Sequence, residues 1–91
     1  MWRVSFERVD KDLWKLPHYI RLKIQVWADA VEQDGMPIVR MSRGLHDKPL
    51  QGNRKGQRSI NVNRSWRLIY EEKESGEITI IEVQEVTYHD Y

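Results

Sequence analysis

Three period-two stretches and one helical stripe organise this chain. Trp2, Val4 and Phe6 alternate with Arg3, Ser5 and Glu7, which predicts a strand with one buried face. Asp10 is placed to cap a short turn running through Trp14, and Pro17 suits the first position of a longer helix. Ile20, Ile24, Trp27 and Val31 then recur at spacings of four, three and four, giving one apolar stripe. Asp34-Gly35 ends that helix, because glycine accepts the left-handed conformation beyond a helix C-terminus. Pro37 starts a second, shorter helix over Ile38 to Ser42, closed by Gly44, so the pair reads as a helical hairpin.

The second half changes character. Leu45 to Gly56 is a polar, basic loop punctuated by Pro49, Gly52 and Gly56. Ile60 and Val62 alternate with Ser59, Asn61 and Asn63. Trp66, Leu68 and Tyr70 alternate with Arg67, Ile69 and Glu71. Ile78 to Val86 forms a third strand, whose run Ile78-Thr79-Ile80-Ile81 is apolar on both faces. Short links at 63–65 and 74–77 make this trio an antiparallel meander. The predicted class is α+β: an N-terminal strand and a helical hairpin packed on an antiparallel sheet completed by a three-stranded C-terminal meander. With 91 residues, we expect one domain spanning 1–91.

If Trp66, Leu68 and Tyr70 face the helices, Arg67 faces the other way, with Ser59, Asn61 and Asn63. Ile69 shares that open face, and Ile80 or Ile81 also has to lie on it. Apolar residues there suit a partner that covers them. An arginine fixed in mid-strand is pre-organised to stabilise charge on a reacting phosphate; the plainer reading is a surface arginine paired with a cross-strand glutamate.

Charge sharpens the picture. Of 15 lysines and arginines, eight lie between Arg40 and Arg67, where Asp47 is the one acid among the chain's 14. A near-neutral protein has gathered its cations in one segment, as a polyanion-binding protein does. Gln51 to Arg58 holds three cations and two glycines but matches no phosphate-loop or dinucleotide spacing. There is no cysteine, and His18 and His46 show no metal-ligand spacing, so no metal or cofactor is expected. The N-terminus has no signal-peptide apolar run and no stretch is long enough to cross a bilayer; a cytoplasmic protein with no membrane partner is the expectation. The chain ends on His89-Asp90-Tyr91, with an imidazole able to exchange a proton near neutrality.

Pro49-Leu50, Lys55-Gly56-Gln57-Arg58-Ser59-Ile60, Trp66-Arg67-Leu68-Ile69-Tyr70 and the terminal His89-Asp90-Tyr91 appear in an order that resembles the RelE/ParE superfamily of bacterial toxins from type II toxin–antitoxin systems, closest to its HigB- and RelE-like branches. The resemblance spans nearly the whole chain. It implies a RelE-like fold and a metal-independent endoribonuclease that cleaves mRNA in the ribosomal A site, the 2′-hydroxyl attacking the adjacent phosphate. It implies a catalytic set of Arg67, His89, Tyr91 and Lys55. Arg54, Lys55 and Arg58 would hold phosphates of mRNA or 16S rRNA, with Lys48, Arg64 and Asp90 beside them. Some relatives carry a glutamate base immediately before the Pro-Leu pair, where this chain has Lys48. The family also implies a cognate antitoxin, for which Ile69 and Ile81 are the candidate contacts, and which would supply any operator-DNA contact. The alternative within the family is a ParE-like toxin that inhibits DNA gyrase by binding it, without RNA cleavage. A nucleic-acid-binding module without catalysis is the third reading.

Overall fold

The computed structural model describes residues 1–89. Five strands form one sheet: β1 (Trp2–Ser5), β2 (Lys48–Pro49), β3 (Gln57–Asn61), β4 (Trp66–Ser75) and β5 (Ile78–Tyr88), in the order β1-β5-β4-β3-β2. β3, β4 and β5 are the expected antiparallel meander, and Gly76, at φ 64°, makes the β4–β5 turn. β1 pairs in parallel with β5, placing Val4 beside Ile81. β2 is a two-residue edge strand antiparallel to β3, inside the segment expected to be loop. The fold class is the expected α+β.

The helices are α1 (Asp10–Leu13), α2 (His18–Asp34) and α3 (Met36–Val39). Ile20, Ile24, Trp27 and Val31 of α2 are buried, as the stripe predicts, and meet Ile60, Leu68, Tyr70, Ile81 and Val83 of the sheet in one core. Each such fully buried large side chain stabilises the fold by about 1.5–3 kcal/mol. Trp27 and Tyr70 pack ring to ring across that interface, centroids 5.8 Å apart. A single 3-10 turn over Glu7–Val9 leads into α1, and together they pack beside the outer half of β5 beyond the reach of β1. An edge that would otherwise be open is thereby covered.

Three local expectations change. Asp10 makes no capping bond, since it is already the first residue of α1. α3 begins at Met36 and is only four residues long. Gly35 does stop α2, but at φ 88° and ψ 152° it lies outside the left-handed helical well, in a region that side-chain-bearing residues avoid. A Cβ built there would stand 2.8 Å from Nε1 of Trp2. Gly35→Ala therefore combines backbone strain with a ring clash. The expected loss is roughly 2 kcal/mol or more, read as a lower denaturant midpoint at unchanged slope.

Ile81 is fully buried in the helix-side core and cannot be an exposed partner contact. Parity decides this: Ile81 aligns with Val4 and Glu72, while Ile80, aligned with Arg3 and Lys73, takes the other face. The apolar run over 78–81 fits both choices, so sequence alone could not separate them.

Candidate phosphate-binding site on the open sheet face

Cross-strand register assembles the face turned away from the helices. Asn61 pairs with Arg67, and Arg67 with Thr87, giving one row of polar side chains across β3, β4 and β5. The next row runs Lys48, Ser59, Ile69, Glu85 across four strands. Residues directly opposite share a face, so Arg67 lies where the alternation put it. Its Nη1 lies 3.3 Å from the carbonyl of Arg64 and 3.5 Å from that of Asn63, which turns the guanidinium toward the 63–65 turn.

That turn is itself built by a side chain. Oδ1 of Asn63 accepts from the backbone N–H groups of Ser65 and Trp66, both at 2.8 Å. Asn63 is thus committed to the turn and does not join the open-face row. The backbone N–H of His89 donates to the Ser65 carbonyl at 2.5 Å, so the end of β5 is tied to the turn beside Arg67. His89 itself directly follows the last residue of β5, next to this turn. Asp90 and Tyr91 lie outside the described residues.

Arg54 ends a 3-10 turn before β3 and reaches across the sheet. Its Nη2 meets Oε2 of Glu85 at 2.6 Å and its Nη1 meets Oε1 of Gln57 at 3.2 Å. Getting from that loop to β5 takes the side chain over β4, where the residue opposite Glu85 is Ile69. Ile69 accordingly faces away from the helices but keeps only 9 % exposure. It is covered by its own chain, which removes the exposed apolar contact expected there. Lys55 and Arg64 are exposed beside this face, and Lys48 is exposed at its β2 edge.

Arg58 does not belong to it. It pairs with Tyr70, on the helix side, and its Nε donates to Oδ1 of Asp47 at 2.6 Å. The other oxygen of Asp47 accepts from the Tyr70 hydroxyl at 2.5 Å, and Nε of Arg40 stands 3.7 Å from Oδ1. Arg40 also donates to the Tyr70 hydroxyl and to Glu72. Burial, helped by the bond to Asp47, pushes the Tyr70 phenol well above its ordinary range. Burial pulls on the Arg40 guanidinium in the opposite sense, yet its bonds to Tyr70 and Glu72 and the nearby Asp47 carboxylate keep it above its usual value. Two of the eight clustered cations are thus consumed by a structural network around the one acid of the segment. Arg58 is withdrawn from the phosphate-binding set for that reason.

At the far end of the open face Glu82 accepts from Arg8 at 3.3 Å and lies 3.2 Å from Lys73. Bonds from Gln84 first, then Lys73, hold its carboxyl below the usual range. Arg8 and Lys73 are thus paired with Glu82 at that end, while Arg67, Arg64, Arg54, Lys55 and Lys48 lie toward the other. Among the described residues no three His, Asp or Glu side chains converge as a metal site. No described helix is long and apolar enough to cross a membrane.

Solved structures share this fold. The YoeB/ParE toxin from Agrobacterium tumefaciens is similar over 98 % of this chain and 98 % of its own, at 16 % identity and a TM-score of 0.68. This is the fold of the RelE/ParE toxins. YafQ from Escherichia coli BL21(DE3) matches 97 % of this chain and 91 % of its own, at 19 % identity and a TM-score of 0.63. The heterotetrameric YoeB–YefM toxin–antitoxin complex from Staphylococcus aureus matches over 99 % and 97 %, at 17 % identity and a TM-score of 0.64. The sequence matches no protein-family model and no curated protein. Within the RelE/ParE fold, the sequence located Arg67, Arg54, Lys55, Lys48, Arg64 and His89 on or beside one face. It also placed Asn61 on the face of Arg67, but missed Thr87 as the third member of that row, Glu85 as a member of the face, and Asp47 as the buried anchor.

Proposed function

We propose that this protein is the toxin of a type II toxin–antitoxin pair and acts as an endoribonuclease on ribosome-bound mRNA. The observation that carries the reading is the Asn61–Arg67–Thr87 row with the Ser65-tethered His89 at its end, set among exposed cations on a RelE/ParE fold. Cleavage by 2′-hydroxyl attack needs charge stabilisation at phosphorus and proton transfer at two oxygens. Arg67 supplies the first from a rigid strand. His89 supplies a proton-transfer group, since an imidazole can both give and take a proton. Lys48, Lys55, Arg54 and Arg64 hold the flanking phosphates. Tyr91 and Asp90 retain the roles that the family resemblance gives them.

The partner in this reading is a cognate antitoxin, as in the S. aureus complex that shares the fold. With Ile81 in the core and Ile69 covered, its apolar contact falls on the opposite side of the molecule. There α2, α3 and the end of β3 enclose a groove of about 540 Å³ lined by Leu22, Val26, Ile38, Leu45 and Val62. Leu22, Val26 and Ile38 are each more than half exposed. An amphipathic segment of the antitoxin, laid against them, covers a surface this size without touching the catalytic row.

The test is cleavage of an end-labelled mRNA positioned on purified ribosomes. The parent protein should cut in the A site and leave a 2′,3′-cyclic phosphate. His89→Ala should lose at least about 100-fold in rate while keeping its circular dichroism spectrum. A folded parent that arrests growth without cutting RNA would transfer the reading to inhibition of a protein target such as gyrase.

A further inference from the structure

The β4–β5 ladder contains one irregularity. Ile69 aligns with Glu85 and Tyr70 with Val83, so Gln84 is an extra residue on β5 with no partner on β4. Its consequence follows from parity. Ile81 and Val83 point into the core, and strict alternation would send residue 85 inward and residue 86 outward. The bulge inverts this. Val86 packs against the core, and Glu85 emerges on the face of Arg67. A carboxylate is thus delivered, by a local break in the sheet, to an otherwise basic surface.

Its position there is specific. Glu85 sits one strand across and one row along from Arg67, a diagonal neighbour at about 7–8 Å. One nucleotide linkage can touch both side chains. Lys48 lies in the same row as Glu85 but two strands from β4, farther from Arg67. The Glu85 side chain is 38 % exposed, and its Oε2 is fixed by Arg54 at 2.6 Å. Arg54 holds the carboxylate in place and offers a cation for the neighbouring phosphate.

We propose that Glu85 is the general base of the cleavage reaction, an assignment that rests on the ribonuclease reading above. The Glu85 carboxylate takes the proton of the 2′-hydroxyl. The 2′ oxygen forms its bond to the adjacent phosphorus, with the developing charge on the non-bridging oxygens facing Arg67. The bond from phosphorus to the 5′ oxygen breaks, and that oxygen takes a proton from the His89 imidazolium. The products are a 2′,3′-cyclic phosphate and a 5′-hydroxyl, and the two proton-transfer steps fall to two different residues.

The experiment compares the parent, Glu85→Gln, Glu85→Asp and His89→Ala on ribosome-bound mRNA, under saturating protein. Binding is followed with the same mRNA carrying a 2′-deoxy nucleotide at the cut site. Glu85→Gln should lower the cleavage rate constant by about 100-fold or more, with 2′-deoxy binding within about threefold of the parent. Glu85→Asp should recover part of the rate, and thermal melting should confirm that all variants fold. If the parent cuts, His89→Ala does not, and Glu85→Gln cuts as fast as the parent or faster, the ribonuclease reading stands and Glu85 is not the base. That outcome would make it a restraint on Arg54. If the parent does not cut at all, both readings fall together.

Discussion

Asp47→Ala should lower the unfolding free energy by about 3 kcal/mol, the loss expected when one partner of a buried charge network is removed. The Asp47 side chain is 1 % exposed and is bonded to Arg58 and Tyr70, with Arg40 close by. Its removal leaves a buried phenol hydroxyl without its acceptor and takes the carboxylate from Arg58, while Arg40 keeps its bond to Glu72. The arginines are 32 % and 27 % exposed and can turn toward water, which keeps the cost at the lower end for such networks. For a domain of this size about 3 kcal/mol corresponds to a fall in melting temperature of roughly 12–24 °C. Calorimetry or urea unfolding reads it directly. A change of less than about 1 kcal/mol would mean that the network contributes no more than a surface ion pair does. Tyr70→Phe should cost less, since it removes the hydroxyl's bonds to Asp47 and Arg40 but leaves Asp47 with its arginines.

The second large effect is on rate. Arg67→Ala should reduce mRNA cleavage by about 10²–10³-fold, the usual result of removing one pre-organised donor to a transition-state oxyanion. Thermal melting of the variant separates a loss of rate from a loss of fold, since Arg67 also bonds the carbonyls of the 63–65 turn at 3.3 and 3.5 Å. Arg67→Lys keeps the charge and loses the planar fork, so it should recover only part of the rate. The check is single-turnover cleavage on ribosomes, with binding measured separately on a 2′-deoxy substrate. An Arg67→Ala protein that cleaves at the parental rate would place the reaction centre elsewhere on the molecule.

Those two residues show what the sequence could and could not say. Arg67 was legible because Trp66, Leu68 and Tyr70 declare which face of β4 is buried, and parity then sends Arg67 to the other. The α2 stripe was legible for the same kind of reason: four apolar residues at helical spacing admit one solution. Arg58 was assigned to phosphates by its place in the family pattern and not by the face that it takes on β3. Its alternation with Ile60 already put it on the side of Tyr70, and only the fold brings Asp47 there to receive it. β2 was invisible, since two residues, one of them proline, carry no period. The parallel pairing of β1 with β5 joins segments more than 70 residues apart, a contact that no local pattern encodes. Glu85 was hidden by the bulge, because alternation counted from Val83 buries it. The departure from a regular strand was the very thing that brought a carboxylate to the site.

The strand order also bears on how the chain folds as it is made. Among the described residues β1 is made before the other four strands and lies at one edge, paired with β5, which is made after them. β5 in turn lies inside the sheet and brings Ile81 and Val83 to the core. Until residues 78–88 emerge, β1 has nothing to pair with and α2 faces an incomplete layer. Pairings this distant in sequence are slow to form, because the loop must close before its contacts stabilise anything. The segment that closes the sheet also carries Glu85 and is followed directly by His89. Nascent chains should therefore pass from unfolded to complete without an intermediate that owns the phosphate-binding face but lacks its proton-transfer groups.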